Sequence, residues 1–155
     1  MRLWLLSVLT VLLVPQASRA CSCDWELRED DRAAVAEALV QSDVVFAGRV
    51  EAVEVLSTEK SKIEGQRTLF YVLQSWKGET SSRMYIETTL ASCGFAFPET
   101  GEYLIYAYRS AETGSLRTSV CSRTKPVADA SWEISVLDEL YANGTGRTNR
   151  WSRRR

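Results

Sequence analysis

The chain has 155 residues, with 19 basic and 20 acidic side chains, four cysteines and no histidine. Without histidine it has neither a Ser-His-Asp nor a Cys-His nucleophile pair, and it lacks the commonest ligand of catalytic zinc. We therefore do not expect an enzyme. Residues 21–146 hold 12 basic and 20 acidic residues, a net charge of −8. An acidic body argues against a nucleic-acid-binding fold, which carries positive charge on a folded face.

Residues 1–20 have the pattern of a secretory signal peptide. A basic start is followed by an apolar run from Leu3 to Val14, and Ser18-Arg19-Ala20 is a small-x-small cleavage site. The run is shorter than the ~20 residues that a membrane span needs, and no later run is longer, so we predict no membrane span. Cleavage would leave Cys21 as the first residue of a secreted, extracellular protein, or of a periplasmic or envelope protein if the source is bacterial.

The 135 residues that follow are enough for one domain with its own core. We expect the domain to cover residues 21–143 and to be followed by a basic, disordered tail over 144–155, which has five arginines and no core-forming pattern. No feature of the sequence requires a dimer, so we expect a monomer.

The chain is predicted to begin with a helix and two strands. The helix covers residues 24–40, with Asp24 as its cap and an apolar stripe that includes Leu27, Val35 and Val40. Alternating apolar residues predict strands over 44–56 and 68–78, with a bulge or bend at Gly48. A polar, hairpin-like excursion over 57–66 separates these two strands.

Three more strands and a final helix are predicted in the second half, with strands over 83–89, 102–109 and 116–121. Helical spacing then covers 128–144, with Trp132, Val136 and Leu140 on one face and a stop at Gly144. This order predicts a mainly β fold, a five-stranded Greek-key OB-fold barrel with flanking helices and two disulfides; a β-sandwich is the competing architecture. The tyrosines at 103, 106 and 108 are interpreted as core and surface packing.

The cysteines predict two disulfides. Cys21, Cys23, Cys93 and Cys121 all follow the predicted cleavage site, and a secreted chain folds in an oxidising compartment. A bridge between Cys21 and Cys23 would close a one-residue gap under strain, so the two long-range pairings are favoured. A structural zinc site is the rival, but it prefers short gaps within each cysteine pair, and the last two cysteines lie 28 positions apart.

The cysteine frame resembles that of the tissue inhibitors of metalloproteinases. The matching segments follow in order: Cys21-Ser22-Cys23, "SDVVFAGRV" at 42–50, "YVLQSWKG" at 71–78, "SCGF" at 92–95, "EYLIYA" at 102–107 and "LRTSVCS" at 116–122. Together they span nearly all of residues 21–127. The family's third bridge in this domain and its second, cysteine-rich domain are missing. Asp24-Trp25-Glu26 stands where the family has Val-Pro-Pro.

The resemblance implies a single OB-fold domain in which Cys21 pairs with Cys93 and Cys23 with Cys121. It also implies a function, inhibition of a zinc metalloproteinase, whose catalytic zinc is chelated by the α-amine and carbonyl oxygen of Cys21. No cofactor or metal of the chain's own is expected, since the zinc belongs to the partner.

Further contacts with the protease are implied for Ser22, which would set selectivity, for Cys23, and for Leu90, Ala91 and Ser92 as a second segment. The alternative function is a non-inhibitory extracellular or envelope binding module, which includes a lipoprotein acylated at Cys21. Lipoprotein processing favours an aliphatic residue where Ser18 stands and a small one at Arg19.

Overall fold

The computed structural model describes residues 21, 23, 30–58, 61–78, 81–90 and 93–145. The predicted signal peptide lies outside these residues, as do residues 146–155 of the predicted tail.

The fold is mainly β, as predicted, and its central feature is a closed ring of five strands. The described residues form six strands: β1 (Val44–Thr58), β2 (Ser61–Lys77), β3 (Arg83–Thr89), β4 (Glu102–Arg109), β5 (Leu116–Arg117) and β6 (Lys125–Pro126). The five strands of the ring follow the order β1-β2-β3-β5-β4, pairing of β1 with β4 closes it, and β6 pairs with β4 alone. The described strands all belong to one sheet, so they do not form the competing two-sheet sandwich. The Greek-key OB-fold topology stays a prediction.

The first two strands are longer than predicted. The polar stretch 57–66 is not an excursion: β1 continues to Thr58, β2 begins at Ser61, and these two residues pair. Pairing between β1 and β2 therefore holds this polar stretch as strand. The irregularity predicted at Gly48 is confirmed by a register shift between Ala47 and Gly48. A side chain there would collide, since an added Cβ would lie 2.7 Å from the ring of Phe46.

The fifth strand is shorter than predicted. β5 ends at Arg117, and residues 118–124 form turns that lead to β6, which the sequence did not indicate. Beyond Arg117 the backbone N–H of Thr118 still donates to the carbonyl oxygen of Glu87 on β3 (3.4 Å), and the Thr118 hydroxyl donates to the carbonyl oxygen of Tyr106 (2.8 Å). Cys121 therefore lies in a turn and not in a strand.

The first helix, α1 (Arg32–Gln41), is capped by Asp31, whose carboxylate accepts a hydrogen bond from the backbone N–H of Ala33 (2.8 Å). The predicted start at Asp24, and Leu27 with it, lie outside the described residues. Val35 is fully buried, as its place in the predicted stripe requires. Val40 does not belong to that stripe, since it is 76% exposed.

The second helix, α2 (Ser131–Thr145), follows a single 3₁₀ turn (Val127–Asp129) and passes the predicted stop by one residue. One residue of the predicted apolar face is misplaced: Trp132 is 40% exposed, whereas its neighbour Glu133 is buried. Leu140 is partly buried, as its place on that face requires. Val136 is buried as expected, together with Leu137. None of the helices among the described residues has the length and apolar content needed to cross a membrane.

Two apolar clusters hold the fold, one on each face of β4. The first fills the barrel and is built around Phe46, Phe70, Phe97, Tyr103 and Ile105. The second lies between the outside of the barrel and the helices, and it contains Val35, Val45, Leu104, Tyr106 and Leu137. β4 contributes alternate residues to both clusters, so both of its faces are buried. Tyr103 and Tyr106 are buried and Tyr108 is half exposed, in agreement with the predicted packing roles.

Phe70 is the aromatic centre of the barrel cluster. Its ring lies edge-on to those of Phe46, Phe97 and Tyr103, with centroids 4.9–6.5 Å apart. It is fully buried, whereas its neighbour Tyr71 on the same strand is 43% exposed. Phe70 and Tyr71 thus provide one buried and one exposed aromatic residue at adjacent positions of the same strand.

We predict that Phe70→Ala lowers the free energy of unfolding by about 3–5 kcal/mol, because it leaves a cavity among three other rings. Tyr71→Ala should change it by less than about 1 kcal/mol. Urea titration of both variants with the disulfides intact measures these differences. Equal losses in the two variants would contradict the placement of the core.

Candidate functional site

Two disulfides fix the start of the described chain to the barrel. Cys21 is bonded to Cys93 and Cys23 to Cys121, with Cα–Cα distances of 5.6 and 5.1 Å. This is the pairing that the resemblance implies. All four cysteines are used in the two bridges, so the rival tetrathiolate zinc site is not formed.

The two disulfides end on segments that are themselves connected. The backbone N–H of Val120 donates a hydrogen bond to the carbonyl oxygen of Cys93 (3.2 Å), which joins the loop after β3 to the turn that carries Cys121. Cys23 is buried, and Cys21 is partly exposed. In the loop-entropy model, bridges that close 72 and 98 residues each constrain the unfolded chain by ~4–5 kcal/mol. The cysteine-x-cysteine segment is thus held at both of its cysteines.

The structure describes the predicted contact residues only in part. Leu90 lies directly after β3, three positions before Cys93, and is 42% exposed. Ser22, Ala91 and Ser92 lie outside the described residues. The structure brings Cys21 to Cys93 and Cys23 to Cys121, and the roles of all these residues toward a protease stay predictions.

A buried charged cluster lies beneath the turn that carries Cys121. The Arg123 guanidinium donates two hydrogen bonds to the carboxylate of Glu133, from Nε to Oε1 (2.9 Å) and from Nη2 to Oε2 (3.1 Å). The Tyr106 hydroxyl donates to Oε1 (2.6 Å), and the Lys125 ammonium lies 3.2 Å from Oε2. The side chains of Arg123 and Glu133 are each only 2% exposed. The cluster therefore ties the turn to β4 and to α2.

The backbone of the same turn is held by hydroxyl groups. Thr118 and Thr124 hydrogen-bond to each other through their hydroxyls (2.7 Å), and the Thr124 oxygen accepts from the backbone N–H of Tyr106 (3.1 Å). Arg123 has a φ of 63°, in the left-handed region that few side chains other than asparagine and aspartate enter readily. The bidentate pair with Glu133 compensates for this conformation.

The surroundings of Glu133 determine the protonation state of its carboxyl. Burial raises the pKa of its carboxyl, but the hydrogen bonds from Arg123 and Tyr106, together with the charges of Arg123 and Lys125, outweigh burial and hold the pKa below its ordinary value. Burial and the neighbouring carboxylate raise the pKa of Tyr106, so its hydroxyl stays protonated and donates. Glu133 is therefore an anion that accepts from three side chains.

Sequence reasoning missed this cluster, although one signal was present. Glu133 lies three and four positions before Val136 and Leu137, so it shares their helix face, and a charged residue on an apolar face needs a partner. Its partner Arg123 lies in a turn that no local pattern predicts.

A cleft is another polar feature near the disulfides. A cleft of about 510 Å³ lies between α1 and the Cys121 turn, with Glu37, Gln41, Ser42 and Ser119 among its lining residues. Gln41 donates a hydrogen bond to Glu37 (3.1 Å), so the acidic group there is already engaged. Within the described part of the chain, no three His, Cys, Asp or Glu side chains group together in a way that could hold a metal ion.

Comparison of the chain with protein-family models and with curated proteins finds no match.

We predict that Arg123→Met and Glu133→Met each lower the free energy of unfolding by about 3–5 kcal/mol, because each leaves the other charge buried without its main partner. The double variant should cost less than the sum of the two single variants. Urea titration provides the double-mutant cycle, and additive losses would contradict the coupling. Arg32→Met/Glu139→Met removes an exposed pair (50% and 60% exposed) as a control and should cost less than about 1 kcal/mol.

We predict that the domain loses stability in acid through Glu133 and Glu87. The Arg67 and Ser115 side chains hydrogen-bond to Glu87 and lower its pKa, so both carboxyls have folded pKa values below their unfolded ones. Their contribution is complete above the ordinary pKa of 4.5 and is lost as the pH falls through the folded values. Urea midpoints between about pH 7 and about pH 3 measure this slope. Glu133→Gln should flatten it, and an unchanged slope would contradict the assignment.

Proposed function

We propose that the protein is a secreted inhibitor of zinc metalloendopeptidases that acts through the free α-amine and the carbonyl oxygen of Cys21. The proposal includes cleavage after Ala20, because only cleavage frees that amine. It combines the resemblance to the tissue inhibitors of metalloproteinases with the disulfide arrangement of the described residues.

The chemistry of the target favours a bidentate terminus. A catalytic zinc has three protein ligands and one open position, which normally holds the water that attacks the peptide bond. The amine nitrogen and the carbonyl oxygen of one residue form a five-membered chelate ring with a metal. Such a chelate displaces the water and stops hydrolysis. An α-amine has a pKa of about 7.7–8.0, so a useful neutral fraction is present near physiological pH.

The observation that carries the proposal is the double anchoring of the cysteine-x-cysteine segment. A flexible terminus would lose conformational entropy on binding, and prior ordering removes much of that cost. Cys21 and Cys23 are bonded to two segments that share a hydrogen bond between Val120 and Cys93. The buried ion pair between Arg123 and Glu133 supports the second of these segments from below.

The exposure of the two N-terminal cysteines is also consistent with the proposed chelation by Cys21. Cys23 is buried and Cys21 is partly exposed, so the first residue is the more accessible of the two. Leu90 exposes its side chain near the Cys93 end of its loop. We propose that Ser22 and the segment of Leu90, Ala91 and Ser92 complete the contact with the protease, with Ser22 setting selectivity.

We predict that one alanine added before Cys21 weakens inhibition by at least about 100-fold, because it converts the chelating amine into an amide. The mature form is first screened against a panel of zinc endopeptidases, and the inhibition constants of both forms are then measured for each enzyme that it inhibits. Carbamylation of the amine in the mature form should have the same effect.

The extended form must keep its fold for this comparison to be meaningful. Its urea midpoint and its disulfide masses should equal those of the mature form, and a single alanine added after Arg155 provides the length control. Equal inhibition by the extended and mature forms would refute the chelate. So would a mature protein that inhibits no member of the panel, or a secreted protein whose mass shows an acylated Cys21; both would favour a binding module.

A further inference from the structure

The outer face of β1, β2 and β3 presents an exposed aromatic surface that the proposed inhibition does not use. Phe70, Met84 and Ile86 point into the barrel, and the residues that alternate with them point outward. Among these, Tyr85 is 58% and Tyr71 43% exposed. We call the surface formed by Ala52, Leu69, Tyr71 and Tyr85 the tyrosine face.

The strand register places these residues side by side. Leu69 lies opposite Ala52 on one neighbouring strand and opposite Tyr85 on the other. Tyr71 lies opposite Arg83, two positions from Tyr85, so the two tyrosines are diagonal neighbours with a spacing of about 7–8 Å. The face therefore carries two rings on adjacent strands, and the aliphatic side chain of Leu69 adjoins both of them.

One ion pair crosses the tyrosine face and a second borders it. Arg83 lies opposite Tyr71 on β3 and reaches across β2, beside Tyr71, to Glu51 on β1, where it makes two hydrogen bonds, from Nε (2.6 Å) and from Nη2 (3.2 Å). On the other side of Leu69, Arg67 donates twice to Glu87 (2.8 and 3.1 Å). These pairs place both donors and acceptors beside the rings.

The composition of the face is that of a binding surface. Exposed aromatic patches rimmed by polar groups mark interaction sites, and tyrosine and arginine are the residues that contribute most there. Tyr71 and Tyr85 lie outside both apolar clusters, so packing of the core does not account for them.

The charges around the tyrosine face narrow the chemical class of the partner that could bind there. Arg67 and Arg83 are both neutralised by carboxylates, and residues 21–146 carry a net charge of −8. An anionic chain such as a nucleic acid or a sulfated glycan would meet repulsion. A cationic partner would find the carboxylate charges already neutralised, although the carboxylate oxygens keep lone pairs that accept from neutral hydroxyl groups. The partner that matches the face is uncharged and rich in hydroxyl groups.

We propose that the tyrosine face binds a neutral oligosaccharide. The C–H face of a pyranose ring stacks on an aromatic ring, and two rings on adjacent strands would seat two sugar units of one chain. The sugar hydroxyls donate to the carboxylates of Glu51 and Glu87 and accept from the guanidinium groups of Arg83 and Arg67. This site is independent of Cys21 and of the proposed inhibition.

Affinity electrophoresis of the folded domain tests the proposal with four neutral polysaccharides: hydroxyethylcellulose, mixed-linkage β-glucan, galactomannan and glycogen. We expect at least one of them to retard the protein. Tyr71→Ala and Tyr85→Ala should each weaken binding by about 3- to 10-fold, and the double variant should not be retarded. Tyr71→Phe and Tyr85→Phe keep the rings and should retain most of the binding.

Tyr108→Ala is the matched control, because Tyr108 is as exposed as Tyr71 but lies on β4, outside the tyrosine face. It should bind like the unmodified protein. Retardation by none of the four polysaccharides would overturn the proposal, and so would equal retardation of the double variant. Binding to heparin alone, weakened by salt, would point to the basic tail. A dimer in sedimentation that the double variant abolishes would assign the face to a second copy of the chain.

Discussion

Closure of the sheet through β1 is the constraint on which the rest of this molecule depends. This strand pairs with β2 along its length and with β4 over residues 44–49, so one strand belongs to two sides of the ring. Such double pairing requires the strand to bend, and register shifts near Gly48 and after Val50 supply the bends. The closed ring then has an apolar inside and a mixed outside, which places one core in the barrel and a second one under the helices.

The second core adjoins a buried ion pair, since Tyr106 belongs to its apolar cluster and also donates to Glu133. Buried ion pairs often contribute little net stability, but they form only when the donor and acceptor atoms are well aligned. Here the pair between Arg123 and Glu133 fixes a turn that the sheet does not reach, since β5 ends at Arg117. The same turn holds Cys121, so the disulfide to Cys23 ends on a turn that the ion pair also ties to α2.

Two surfaces with different chemistry result from this construction. The cysteine-x-cysteine segment is held by two disulfides, and we assign to it the proposed inhibition of a zinc protease, which requires cleavage before Cys21. The tyrosine face presents rings held by the sheet register, to which we assign a neutral glycan. A secreted inhibitor with a glycan-binding face would be concentrated where its polysaccharide is, without any change at its first residue. The two proposals can fail separately, because they share no residue.

Some elements could be predicted because their signals are local. Apolar alternation indicated the cores of β1 and β2, the residue pattern also placed β3 and β4, Gly48 marked the bend, and the cysteine frame with its family resemblance indicated both disulfide pairings. Only the tertiary structure decided which residue of α2 faces inward, because Trp132 and Glu133 both fit a helical stripe and a distant arginine selects between them. It likewise decided that Tyr71 and Tyr85 are neighbours. Strand register depends on hydrogen bonds between residues far apart in the chain, and alternation within one strand carries no information about its partner.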